Sequence, residues 1–243
     1  AKVRPGGPNL KTDANGEFHL KNLQGTSKTV VVDSPNFMPA YKQVRLDTDK
    51  EIPPVNFVLK PGKTLIGRVV DEQGKPIKDV KLQLQTWEAI DNRWFDHYAT
   101  TDANGEFRME HLPEGKITLR LDREGYLYMN YQPAEIESNQ PITTMKTPIV
   151  MQKGARAYAK VVDAETGKPI TNFRVKAEFP KQLEQGDIRP DGLPSDWTRG
   201  FAFHTETGEF KTFERFRGMA IALQVKAERY APTYVPRVVF GES

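Results

Sequence analysis

The sequence predicts an all-β chain, a tandem array of small antiparallel β-sandwiches, and three observations carry that expectation. First, Thr12-Asp13-Ala14-Asn15-Gly16-Glu17-Phe18 returns letter for letter as Thr101-Asp102-Ala103-Asn104-Gly105-Glu106-Phe107, 89 residues later, and a shorter copy reads Thr205-Glu206-Thr207-Gly208-Glu209-Phe210. Identity at one fixed offset marks tandem modules. Second, apolar residues alternate in short runs, as in strands with one wet face. Third, 18 glycines and 18 prolines punctuate the chain at strand spacing, and no stretch of ten residues has helical periodicity. The heptapeptide is itself a turn signal. Asn-Gly supplies the positive φ of a tight hairpin, and the phenylalanine opens the next strand.

The repeat divides the chain into three units: 1–60, 61–152 and 153–243. In the first, residues 1–11, with Pro5, Gly6, Gly7 and Pro8, read as an irregular lead-in. Strands are expected at 18–20, at the β-branched run Thr29-Val30-Val31-Val32, at 43–46 and at 55–59. The second unit opens with a strand over 64–71 and a turn at Gln73-Gly74-Lys75-Pro76. Val80, Leu82 and Leu84 then point inward by strict alternation, and Ile117, Leu119 and Leu121 do the same further on. The unit closes at Ile149-Val150-Met151. The third unit repeats the plan with a strand over 156–163, a turn over 165–170, alternation from Phe173 to Phe179, a long insertion over 180–200 and a strand at 220–225. An aromatic follows each turn phenylalanine at nearly constant distance: Phe37 and Tyr126 by 19 residues, Tyr230 by 20.

The ends break the pattern. The first unit lacks the opening strand of the other two, and the third has no clear counterpart of 149–151. A sandwich without such strands exposes an edge. The chain also opens on alanine, so a fragment of a longer array is expected.

Composition narrows the function. Hydrophobic residues make up 37% and charged residues 28% of the 243, which suits several small cores better than one large one. The 35 basic and 32 acidic residues are well mixed, and the net charge of +3 gives no footprint for nucleic acid. Cysteine is absent, which excludes disulfides, thiolate metal sites and thiol nucleophiles. No apolar run approaches the roughly 18 residues of a membrane span.

Gly67-Arg68-Val69-Val70-Asp71, Gly74-Lys75-Pro76-Ile77, the heptapeptide at 101–107, and Leu119-Arg120-Leu121 followed by Gly125-Tyr126 stand in an order that resembles the carboxypeptidase regulatory-like repeats. The third unit shares it through Val161-Val162-Asp163, Gly167-Lys168-Pro169-Ile170 and Arg229-Tyr230, with Arg229 in place of the glycine. The first unit shares only the second half. The resemblance implies a prealbumin-like (transthyretin-like) seven-stranded sandwich, related to the collagen-adhesin B-type domains. It further implies non-catalytic modules of bacterial secreted or cell-envelope proteins, with neighbouring domains of the same polypeptide as partners and no cofactor.

No residue constellation argues for catalysis. His19, His97, His111 and His204 form no zinc-binding pattern, and no triad or phosphate loop is present. The Asp-x-Asn-Gly-Glu turns offer oxygens to calcium, but the turn alone accounts for the same residues. The stretch from Trp87 to Tyr98 is the candidate ligand site. Trp87, Trp94, Phe95 and Tyr98 stand among polar neighbours, with Tyr126, Tyr128 and Tyr131 in the same unit, and exposed flat rings of this kind suit a glycan or a protein ligand. The competing expectation is that the tryptophans close the core. Trp197, Phe201 and Phe203 pose the same question in the third unit. The leading expectation is a structural or interaction segment that spaces or stabilises a domain elsewhere; the alternative is a carbohydrate- or peptide-binding module.

Overall fold

Four of the turns are each closed by one carboxylate. Asp13 Oδ1 accepts the N–H groups of Asn15 and Glu17 at 2.9 and 2.8 Å, and Asp102 Oδ1 those of Asn104 and Glu106 at the same distances. Asp71 holds Gln73 and Lys75, and Asp163 holds Glu165 and Thr166, in the same way. Each turn then has a glycine in the left-handed region, with φ between 68° and 82°. The computed structural model describes residues 2–4, 10–46, 52–87, 90–91, 95–131, 135–137, 139–178, 199–212 and 214–241. These fall into two compact units, 1–123 with 128–151 and 124–127 with 152–243.

In the first unit, β1 (Lys2–Arg4), β2 (Leu10–Lys11), β3 (Ser27–Ser34) and β4 (Phe37–Arg45) form an antiparallel sheet of order β2-β1-β3-β4. The irregular lead-in expected over 1–11 is therefore corrected: it contains β1, which is inserted beside β3 and buries Val3 against Val30 and Val32. The strands expected at 18–20 and 55–59 join no ladder. They still supply Phe18, Leu20, Phe57 and Leu59 to the same core, because apolar side chains can seal a face without pairing their backbones.

The same unit holds a sandwich built of β5 (Lys63–Asp71), β6 (Lys81–Trp87), β7 (Ile90–Asp91), β8 (Tyr98–Thr100), β9 (Glu106–Leu112), β10 (Ile117–Asp122), β11 (Met129–Tyr131), β12 (Ile142–Thr144) and β13 (Ile149–Met151). One layer runs β11-β10-β6-β8, with β7 on the far end of β6. The other places β9 on one side of β5, and β12 and β13 on its other side. β12 and β13 run parallel to β5, so the sheet is mixed rather than wholly antiparallel. Alternation holds on both layers. Leu65, Val69, Phe107, Met109, Ile149 and Met151 in one layer, and Leu82, Leu84, Ile117, Leu119 and Leu121 in the other, are all buried.

The second unit pairs β14 (Tyr158–Lys160) with a strand over Glu209–Lys211 (β17). Its larger sheet comprises β15 (Asn172–Glu178), β16 (Phe201–His204), β18 (Ala220–Lys226) and β19 (Thr233–Val239), in the order β16-β15-β18-β19. Phe173, Val175, Phe210, Ile221, Leu223 and Phe240 form its core. The strand expected over 156–163 is shorter than its span, and Phe179, Trp197 and most of the insertion at 180–200 lie outside the described residues. Arg229 adopts φ +69°, close to the +86° of Gly125, so the hairpin before Tyr230 keeps its left-handed residue despite the lost glycine.

Two predictions follow from these turns. A side chain at Gly105 would suffer both its φ of +73° and a Cβ 2.4 Å from the Val69 carbonyl oxygen, whereas Gly16 has only its φ to contend with. Gly16→Ala should therefore cost about 1 kcal/mol and Gly105→Ala at least about 3 kcal/mol in urea unfolding; equal losses would show that the contact with β5 is immaterial. Asp163 is held at about 2 by the N–H and hydroxyl of Thr166 and by the hydroxyl of Tyr230 at 3.0 Å. A carboxyl depressed on folding contributes stability above its unfolded value, near 3.9, and that contribution is lost as pH falls towards 2. The melting temperature of Asp163→Ala, followed against pH, should fall less steeply than that of the parent across this window.

Candidate interaction surface

The aromatic stretch divides by side of the sheet. Leu82 and Leu84 face inward, and a bulge in the pairing of β6 with β10, between Thr118 and Leu119, shifts the parity so that Trp87 also faces inward. Its Nε1–H donates to the Glu114 carbonyl at 3.0 Å, and Tyr41 meets the ring edge-on at 5.3 Å. Phe95 is fully buried. Neither ring therefore offers a face to a ligand. Trp94 lies outside the described residues. Tyr98, on β8, is 61% exposed.

Tyr98 belongs to a row of side chains that cross-strand pairing aligns over four strands. Tyr98 stands opposite Gln83, Gln83 opposite Arg120, and Arg120 opposite Asn130. Gln83 Nε2 donates to the Tyr98 hydroxyl at 3.0 Å and to the Phe95 carbonyl at 3.1 Å, which orients its amide. The Arg120 guanidinium lies 4.9 Å from the centre of the Tyr128 ring, and the Tyr128 hydroxyl donates to Asn130 Oδ1 at 3.0 Å. Two exposed phenol rings, an amide and a guanidinium thus share the outward face of β8-β6-β10-β11. Such a face can stack on a flat ring and bond its hydroxyls; it has no nucleophile–base pair. Among the described residues, no group of three or more His, Asp or Glu side chains is placed to hold a metal ion. Asp13 and Asp102 each direct a carboxylate oxygen into their own turns. In the second unit Phe201 is exposed and lies 5.3 Å from Phe203, which continues into the core through Phe173 and Phe210.

Sequence reasoning found no role for His97. Its Nε2 lies 3.0 Å from Asp33 Oδ1, with the two side chains 1% and 0% exposed. Asp33 Oδ2 accepts the Asp96 N–H at 2.6 Å, and Lys2 Nζ sits 2.5 Å from Asp96 Oδ2. A buried carboxylate needs such donors to offset its desolvation. The cluster ties the end of β3 to the segment leading into β8, across 64 residues of chain with no local signal.

Residues 64–148 match the carboxypeptidase regulatory-like domain family. No curated protein matches the chain. Among solved structures, a type II cohesin-X-dockerin complex from Acetivibrio cellulolyticus is similar at 21% identity over 39% of this chain and 60% of that one, with a TM-score of 0.29. The streptococcal ancillary pilin is similar at 14% identity over 89% and 72%, with a TM-score of 0.35. The 3-chlorocatechol 1,2-dioxygenase of Rhodococcus opacus 1CP is similar at 14% over 59% and 73%, with a TM-score of 0.27. The chain spans 60% of the length of the first of these.

Removing the buried carboxylate should be costly. Asp33→Ala is expected to lower stability by about 3 kcal/mol in denaturant unfolding, and by far less in a His97→Ala background. Additive losses would show that the two side chains act separately.

Proposed function

We propose that the chain is a non-catalytic structural and interaction segment of a larger bacterial secreted or cell-envelope protein, one that spaces or stabilises a functional domain of the same polypeptide. The units 1–60, 61–152 and 153–243 are its modules. The observation that carries this reading is the use made of the ionisable side chains: Asp13, Asp71, Asp102 and Asp163 close turns, and Asp33 with His97 joins the first module to the second. The family matched by residues 64–148 agrees with it. Chemistry of this kind fixes shape.

A second reading is favoured by the Tyr98-Gln83-Arg120-Asn130 row: this face binds a carbohydrate, with Tyr98 and Tyr128 stacking on sugar rings and Gln83, Arg120 and Asn130 bonding hydroxyls.

Calorimetry of the intact polypeptide with and without residues 1–243 tests the first reading, which expects the neighbouring domain to melt several degrees lower without them. An unchanged melting point would remove it. A polysaccharide pull-down tests the second, with Tyr98→Ala expected to weaken retention about tenfold through a lost stacking contact; full retention by the variant would sink it.

A further inference from the structure

The two identical heptapeptides carry the only Asn-Gly pairs in the sequence, Asn15-Gly16 and Asn104-Gly105. An asparagine before glycine is open to loss of its own amide, because glycine places no side chain in the path of its nitrogen towards Asn Cγ. All seven residues agree between the copies, so the local sequence gives both sites the same reactivity. Any difference between them is set by what each turn packs against.

Both turns share one restraint. Gly16 N–H donates to the Asp13 carbonyl at 3.1 Å, and Gly105 N–H to the Asp102 carbonyl at 3.0 Å. The nitrogen must leave that bond, and its peptide must swing, before it reaches the side chain. The second turn is held by further bonds. The Asn104 carbonyl, at the other end of the same peptide, accepts Arg68 Nε–H at 2.8 Å. The Gly105 carbonyl accepts Val69 N–H at 2.8 Å, and Gly105 is buried. Thr101, which enters the turn, is buried, and its hydroxyl bonds the Ile77 carbonyl and the Val80 N–H. Phe107, which leaves it, is paired into β9. Around the first turn Asn15 and Gly16 are exposed, and none of the described residues donates to either carbonyl. Phe18 is half-buried in a segment that joins no ladder.

We propose that Asn15 is a site of spontaneous deamidation, and that the fold shields Asn104 in the same seven residues. The Gly16 nitrogen gives its proton to water or hydroxide and attacks Asn15 Cγ. The Cγ–Nδ2 bond breaks, ammonia leaves, and a cyclic imide joins residues 15 and 16. Water then opens the imide at either carbonyl, to aspartate or to isoaspartate. The net exchange is amide and water for carboxylic acid and ammonia, with no change of oxidation state. The product carries a new carboxylate between Asp13 and Glu17. In isoaspartate the main chain is also longer by a methylene, which lies between the two N–H groups that Asp13 Oδ1 accepts at 2.9 and 2.8 Å. Both changes loosen the turn of the first module and spare that of the second.

The test is to hold the folded 243-residue chain in mildly alkaline buffer and follow both sites by peptide mapping and isoaspartate labelling. Tryptic cleavage separates the copies, since Lys11 and Lys21 flank the first and Arg108 follows the second. Asn15 is expected to deamidate at least about tenfold faster than Asn104, because its turn opens at a lower local cost. In concentrated urea the two rates should converge. Arg68→Ala, which frees the Asn104 carbonyl, should speed Asn104 severalfold and leave Asn15 unchanged. Three results would each overturn the proposal: equal rates in the folded chain, a faster Asn104, or a gap that persists undiminished in urea.

Discussion

The structure depends on a carboxylate that reaches forward over its own turn. An aspartate one residue into the turn accepts two backbone N–H groups that would otherwise face water unpaired, and a glycine in the left-handed region lets the chain reverse. In the sandwich over β5 to β13 this device occurs at both Asp71 and Asp102, and the two turns sit side by side: the Gly105 carbonyl accepts the N–H of Val69, two residues before Asp71. The pairing of β5 with β9 starts from that contact. Once it is set, alternation decides which side chains enter the core. The turn is thus a register mark, and a slip of one residue would send Leu65 and Val69 into water.

The buried Asp33–His97 pair plays a different part. Cut off from solvent, it depends on hydrogen bonds to the carboxylate such as those from His97 and the Asp96 N–H. Its energetic balance against a well-packed apolar pair is close to even, so its value lies in selecting one arrangement of the first sheet against the sandwich that follows. A purely apolar contact, such as Tyr41 on Trp87, tolerates small slides that a 3.0 Å hydrogen bond does not.

Where the physics is local, the sequence was readable. Val30 to Val32, Leu82 with Leu84, and Ile117 with Leu119 and Leu121 declared their strands through branching or alternation, and the structure buries them as read. Where pairing decides, it was not. β1 hides in a lead-in rich in proline and glycine, and only its partner β3 makes it a strand. β12 and β13 run parallel to β5, a long-range choice that no local pattern announces. Trp87 breaks the alternation that Leu82 and Leu84 set because Gln85 is an extra residue in that strand, opposite the step from Thr118 to Leu119; its inward position matches the expectation that it closes the core, but not the parity of its strand. The row from Tyr98 to Asn130 joins four strands through register alone, and the sequence suggested only its first member.

Arg229 shows how such a module can diverge without changing shape. At Gly125 an added Cβ would meet nothing within 4 Å, and the matching place before Tyr230 holds an arginine at φ +69°. At Gly105 and Gly208 the added atom would press on a strand carbonyl at 2.4 Å, and both remain glycine. A glycine that faces open space can thus give way to another residue that adopts a positive φ, whereas one pressed against a strand carbonyl cannot without moving that strand. Further copies of this module, in this polypeptide or another, are better sought by their Gly-Glu-Phe than by their Gly-Tyr.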